Sequence, residues 1–182
     1  KTSQPYSILD GNRRATFDRL YEDFFYRRNN EFWKEKAMQK LPALLDSTGM
    51  LACGEDLGMI PATVPQVMSD LRILSLEIQR MPKDPYHEFA NPAWYPYLSV
   101  CTTSTHDMNP IRAWWEEDRL TTVHFYHDML GLQGETPQSC EPKICRQILE
   151  QHLCSPAMLT VLPLQDWLSM DGSLRREDPH AE

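Results

Sequence analysis

The chain has 182 residues, 41% of them hydrophobic, so it can bury a sizeable core, and its length sets a single domain as the expectation. Its 18 basic residues against 26 acidic ones leave a net charge of −8 with no basic block or stripe, which argues against nucleic acid as a partner. No apolar run approaches the ~20 residues that span a bilayer, and no charged n-region precedes an apolar h-region, so neither a membrane segment nor a secretory leader is expected.

The first forty-odd residues read as helix. Phe17, Leu20, Tyr21, Phe24 and Phe25 follow the spacing of one apolar helical face, and core packing is the expected use of these aromatics. Asn29-Asn30 is expected to break this helix, and a second should run from about Glu31 to Leu45 with Trp33, Ala37, Leu41 and Leu44 inward. Near Thr48 the rhythm changes to short apolar runs alternating with helical patterns. Four runs, centred near Ala52, Leu76, Val100 and Val161, read as buried strands. Between them "ATVPQVMSDL" reads as a helix with Thr63 as N-cap and Pro65 in its first turn. "NPIRAWWEEDRL" and "PKICRQILEQHL" read as further helices, and "PKDPYHEFANPAWYP" as a Pro- and aromatic-rich loop. This alternation predicts βα units and a parallel sheet in residues 48–182, preceded by a helical segment over residues 1–47.

Cys53, Cys101, Cys140, Cys145 and Cys154 are odd in number and lack a Cys-x-x-Cys spacing. They predict neither a zinc site nor a disulfide framework, and they fit a reducing, cytoplasmic setting. The chain opens on Lys1 and closes on the polar "SLRREDPHAE", which reads as a piece of a longer protein.

The acids carry the functional reading. Glu55 and Asp56, in "ACGEDLG", end the first strand-like run, Asp107 ends the third and Asp166 the fourth. In parallel α/β architectures ligands bind at the C-terminal edge of the strands. Glu55 and Asp107 stand 52 residues apart with one full strand between them. At ~4.8 Å per neighbouring strand their backbones would lie ~10 Å apart, and inward side chains would close part of that gap. N-capping of the following helix competes with a site role for Asp56 and Asp107, and capping is the expected role of Asp166. His106 is either a core histidine or, beside Asp107, a site residue.

Taken together, "GEDLGMIPATVPQVM", "LRILSLEIQRMP", "TTSTHDMNPIRAWW" and "AMLTVLPLQDWL" resemble the amylomaltase or 4-alpha-glucanotransferase family, glycoside hydrolase family 77, and within it the type-2 class. The resemblance covers almost the whole chain from "YRRNNEFW" onward. It implies an α/β fold that is part of a (β/α)8 TIM barrel, about strands five to eight, and retaining transfer of alpha-1,4-glucan segments. On the matching positions Glu55 would be the general acid/base and Asp107 the carboxylate that stabilises the transition state. His106 and Asp56 would bind substrate. The substrate would be a malto-oligosaccharide or alpha-glucan, with no cofactor and no metal, and the remaining partner would be the rest of the barrel.

A retaining enzyme also needs a nucleophilic carboxylate ~5–5.5 Å from the acid/base. The family places it in an Arg-x-Asp-His context that does not occur in this chain, so the chain alone is expected to be inactive. The loop aromatics Tyr86, Phe89, Trp94, Tyr95 and Tyr97 are candidates for stacking on sugar rings or for packing the loop. An alpha-glucan hydrolase with the same acids, and a non-catalytic carbohydrate-binding α/β domain, are the competing readings.

Overall fold

The computed structural model describes residues 3–181. Two compact units are present, and the chain passes between them more than once.

The first unit, Lys1–Ala52 with Gly58–Ile73, is helical. After α1 (Gln4–Ser7), α2 (Gly11–Glu22) is capped by Asp10, whose carboxylate accepts from the Arg13 N–H at 2.9 Å. A wide π-turn segment, Asp23–Arg28, carries α2 directly into α3 (Asn29–Asp46). The break expected at Asn29-Asn30 is therefore absent. Asn costs a helix interior only about 0.7 kcal/mol. Here Asn30 also makes tertiary contacts, accepting from the Ala62 N–H at 2.9 Å through its side chain and from Thr63 Oγ1 at 3.3 Å through its carbonyl. Thr63 precedes α4 (Val64–Asp70) as expected, but its hydroxyl is turned to Asn30 and does not cap its own helix.

Val64, Met68 and Ile73 form this unit's small core, with Trp33, Leu41 and Leu45 packed on it. Leu44, expected inward, is exposed, because Leu45 takes that place. Phe17, Leu20, Phe24 and Phe25 are also exposed, contrary to the core role expected of them. The rings of this face cover one another, with Tyr21 and Phe25 at 4.7 Å and Phe24 and Phe25 at 5.1 Å between centroids.

The second unit, Cys53–Leu57 with Leu74–Glu182, holds the sheet. Three parallel strands, β1 (Ser75–Ile78), β2 (Ser99–Thr102) and β3 (Leu159–Thr160), lie side by side in that order. Ser75 pairs with Ser99, Ile78 with Thr102 and Cys101 with Thr160. The first predicted strand is present only as a single parallel bridge from Cys53 to Leu74, reinforced by the Gly54 N–H donating to the Leu74 carbonyl at 2.8 Å. All four predicted runs thus take up parallel pairing, each shorter than its apolar stretch.

Along β2 Ser99 and Cys101 are fully enclosed and Thr102 is buried, with Val100 alone half-buried. Cys53, in contrast, is exposed, although its apolar run suggested a buried thiol. The main core gathers Ile111, Trp115, Phe125, Ile144, Ile148 and Leu149. These come from α5 (Ile111–Trp115), the helical turn Phe125–Met129 that extends α6 (Arg119–His124), and α7 (Pro142–Leu153). The stretch predicted as one helix over "NPIRAWWEEDRL" is divided at Asp118, whose carboxylate caps α6 by accepting from the Leu120 N–H at 3.0 Å. A last short helix, α8 (Leu164–Leu168), follows β3. Among the described residues no helix is long and apolar enough to cross a membrane.

Candidate active site

Because the strands are parallel, the segments leaving their C-terminal ends share one edge. Glu55 lies two residues past the Cys53–Leu74 bridge, and Asp107 lies five residues past β2. The two segments flank β1, the Glu55 segment beside it at Leu74 and β2 along its full length.

Glu55 is exposed, whereas Asp56 is only 3% exposed. Asp56 Oδ1 accepts from the Leu76 N–H at 2.9 Å, and Oδ2 accepts from Lys83 Nζ at 2.8 Å. Lys83 Nζ also reaches Glu77 Oε1 at 2.7 Å. Both oxygens of Asp56, read from sequence as substrate-binding, are thus engaged within the protein. Gly58, closing the heptapeptide, has φ +71°, where a side chain would be strained; Gly54 does not share that conformation.

His106 and Asp107 project from the loop after β2 with side chains 83% and 73% exposed, and His106 Nε2 lies 3.1 Å from Asp107 Oδ2. They line a cavity of about 420 Å³ together with Arg80, Met108, Asn109, Trp114 and Glu117. His106 and Met108 also line a second cavity of about 450 Å³, which runs over Thr102, Ser104 and Thr105 to Val161 and Gln165 beyond β3. The structure therefore brings His106 and Asp107 together at the first of these cavities, which the Glu117 carboxylate also lines, while His106 alone of the pair borders the second. Glu55 and Asp56 do not line either cavity.

Arg80, from the "QRMP" stretch, was missed as a site residue. It donates through Nε and Nη2 to the Thr103 carbonyl at 3.1 and 2.7 Å, and through Nη2 to the Asn109 carbonyl at 2.8 Å. Its guanidinium lies 4.8 Å from the Trp114 ring centroid. Burial pulls its pKa down to about 10, opposed by the nearby charges of Asp166 and Glu117, so it stays cationic near neutrality.

Asp166 is fully enclosed. It accepts from Thr103 Oγ1 at 2.5 Å and from the Ile111 N–H at 2.8 Å. Expected to cap the helix that follows it, Asp166 sits inside α8 and caps α5, 55 residues away.

The loop aromatics divide. Phe89 packs edge-on against Phe125 and Trp114, and Tyr95 is buried. Tyr86, Trp94 and Tyr97 are exposed. Phe89, Trp94 and Tyr95 line a separate cavity of about 510 Å³ with Lys83, and none of the candidate acids borders it.

Carboxylates and a histidine at the C-terminal edge of a parallel sheet suit sugar chemistry, and similarity to known proteins agrees. The 4-alpha-glucanotransferase DPE2 of Oryza sativa subsp. japonica is 43% identical over 165 residues, covering 91% of this chain and 17% of the rice protein. A 4-alpha-glucanotransferase of Chlamydia muridarum (strain MoPn / Nigg) is 26% identical over 186 residues, covering 89% of this chain and 34% of its own length. The chain thus spans well under half of the relatives it matches. Among solved structures, an amylomaltase from Streptococcus agalactiae in complex with acarbose matches in fold with a TM-score of 0.50 and 17% identity, over 64% of this chain and 23% of that one. The family model for 4-alpha-glucanotransferases matches residues 4–181, nearly the whole sequence, and on that match the chain belongs to glycoside hydrolase family 77.

Proposed function

We propose that this chain is the part of a retaining 4-alpha-glucanotransferase that supplies the acid/base and the stabilising carboxylate. The observation that carries the reading is the placement of Glu55 and of the His106–Asp107 pair on segments flanking β1 at one edge of a parallel sheet. The four parallel segments in chain order read as strands five to eight of a (β/α)8 barrel, with residues 1–47 preceding or inserted in it. The fold match to an amylomaltase supports that architecture.

Cleaving a glycosidic bond passes through an oxocarbenium-like state that needs a proton on the leaving oxygen and negative charge near the anomeric carbon. Glu55 first donates that proton and then, as base, activates the incoming sugar hydroxyl. Asp107 holds ring hydroxyls and stabilises the positive charge of the transition state, with His106 donating or accepting beside it. Asp56 acts one step back, fixing the turn that presents Glu55. The nucleophile comes from outside this sequence, so the isolated chain is inactive. Malto-oligosaccharides or starch- and glycogen-derived glucans are the proposed substrates, and the cytoplasm the proposed compartment.

The test is product analysis with the full-length protein on excess maltose. Glucose with a ladder of longer oligosaccharides supports the reading, glucose alone indicates a hydrolase, and no turnover rejects it.

A further inference from the structure

We propose that Arg80 is the positioning residue of the proposed active site, fixing the loop that carries His106 and Asp107 by clamping both of its ends; the inference rests on the glucanotransferase reading above. Arg80 follows the C-terminal end of β1, on the strand between the Glu55 segment and β2. Its own place is fixed by its neighbour: Gln79 is buried, donates through Nε2 to Gln151 Oε1 at 2.9 Å, and accepts through its carbonyl from the Ala90 N–H at 2.8 Å.

From there the guanidinium grips the carbonyls of Thr103 and Asn109. These two residues bracket the five that form the loop, 104–108. Asp166 is tied to residues flanking the same loop, accepting from the Thr103 hydroxyl and the Ile111 N–H. Within the loop the backbone turns on itself, the Met108 N–H donating to the Thr105 carbonyl at 3.1 Å. The ends are pinned and the side chains of His106 and Asp107 are left projecting into the cavity that Arg80 also lines.

Arg80 grips the loop through backbone carbonyls, so its hold on the loop is not an ion pair. Its function here is geometric: a planar fork reaches two acceptors at once while its face lies on Trp114. Lysine has the charge but neither the fork nor the stacking plane, so Arg80→Lys is a sharp test. Glycosidic cleavage depends on where Asp107 stands relative to the anomeric carbon, and a misplacement of ~1 Å costs about 10²-fold in rate.

The experiment uses the full-length protein with maltose and compares Arg80→Lys, Asp107→Asn and the double variant. Arg80→Lys should lower kcat by about 10–100-fold while KM moves less than about threefold. The double variant should be no slower than Asp107→Asn alone, within about threefold, because the clamp acts on kcat through the Asp107 carboxylate. Hydrogen exchange should quicken in the amides of residues 104–108 and stay unchanged in β2. Wild-type kcat in Arg80→Lys, a multiplied loss in the double variant, or faster exchange spread over the whole unit would each overturn the proposal. Full turnover by Asp107→Asn would instead sink the reading of function, whereas an inactive Asp107→Asn beside a fully active Arg80→Lys would sink the clamp alone.

Discussion

Lys83 Nζ stands 2.8 Å from Asp56 Oδ2, and in the same position it reaches Glu77. One ammonium thereby serves two enclosed carboxylates, one beside the candidate acid/base and one on β1. The Lys83 side chain is 28% exposed, against 3% and 11% for Asp56 and Glu77. Removing it leaves both acids without a cation in a poorly solvated place. Lys83→Met should destabilise the fold by about 3 kcal/mol, the lower end of what breaking a buried pair costs, since Lys83 is partly screened by water. Chemical denaturation of the wild type and the variant measures it, and a loss below about 1 kcal/mol would make the pair a surface one in energetic terms.

Asp166 should be at least as costly to remove. Its carboxylate accepts from one hydroxyl and one backbone N–H that are both buried. Asp166→Ala strands those donors and is expected to cost about 3 kcal/mol or more, while Thr103→Val, which takes away one donor, should cost about 1 kcal/mol. Unfolding midpoints of the two variants give the order, and a Thr103→Val loss equal to that of Asp166→Ala would contradict it.

His152 sets a pH dependence. It is fully enclosed in α7, its Nδ1 2.8 Å from the Ile148 carbonyl. Burial, together with the Arg80 charge, holds its pKa below the ordinary 6.5, against the pull of that carbonyl. Below pH ~6.5 the unfolded chain therefore takes up a proton that the folded chain refuses, and stability falls as the pH falls, by at most about 1.4 kcal/mol per pH unit from this group. Thermal unfolding between pH 7 and 5 should show that slope, and His152→Leu should flatten it. An unchanged slope in His152→Leu would assign the pH dependence elsewhere.

The parallel sheet was legible because strands buried on both faces read as continuous apolar runs. "RILSLEIQRM" and "YLSVCTTSTHD" became β1 and β2 in register, and β3 emerged from "AMLTVLPLQDWL". Their lengths were not legible, because pairing ends where the neighbouring strand ends. The first run illustrates this, keeping one bridge, at Cys53.

The Glu55 and Asp107 positions were visible as acids at strand ends. Arg80 was not, since its partners are backbone carbonyls 23–29 residues away that no motif marks, and Lys83 was not, since it joins one carboxylate 27 residues away to another 6 residues away. Asp166 was visible as a cap, but the helix it caps lies 55 residues back along the chain. The aromatic face of α2 was misjudged for a related reason: helical spacing identifies a face, not what covers it.

The central claim is that Glu55 is the acid/base of glucan transfer. The direct measurement is maltose turnover by the full-length protein carrying Glu55→Gln, a substitution that keeps the shape and removes the titratable proton. The account predicts a loss of about 10²–10⁴-fold or more in kcat with the folded state intact by thermal unfolding. Turnover within about threefold of wild type, with the same ladder of longer glucans, would contradict it.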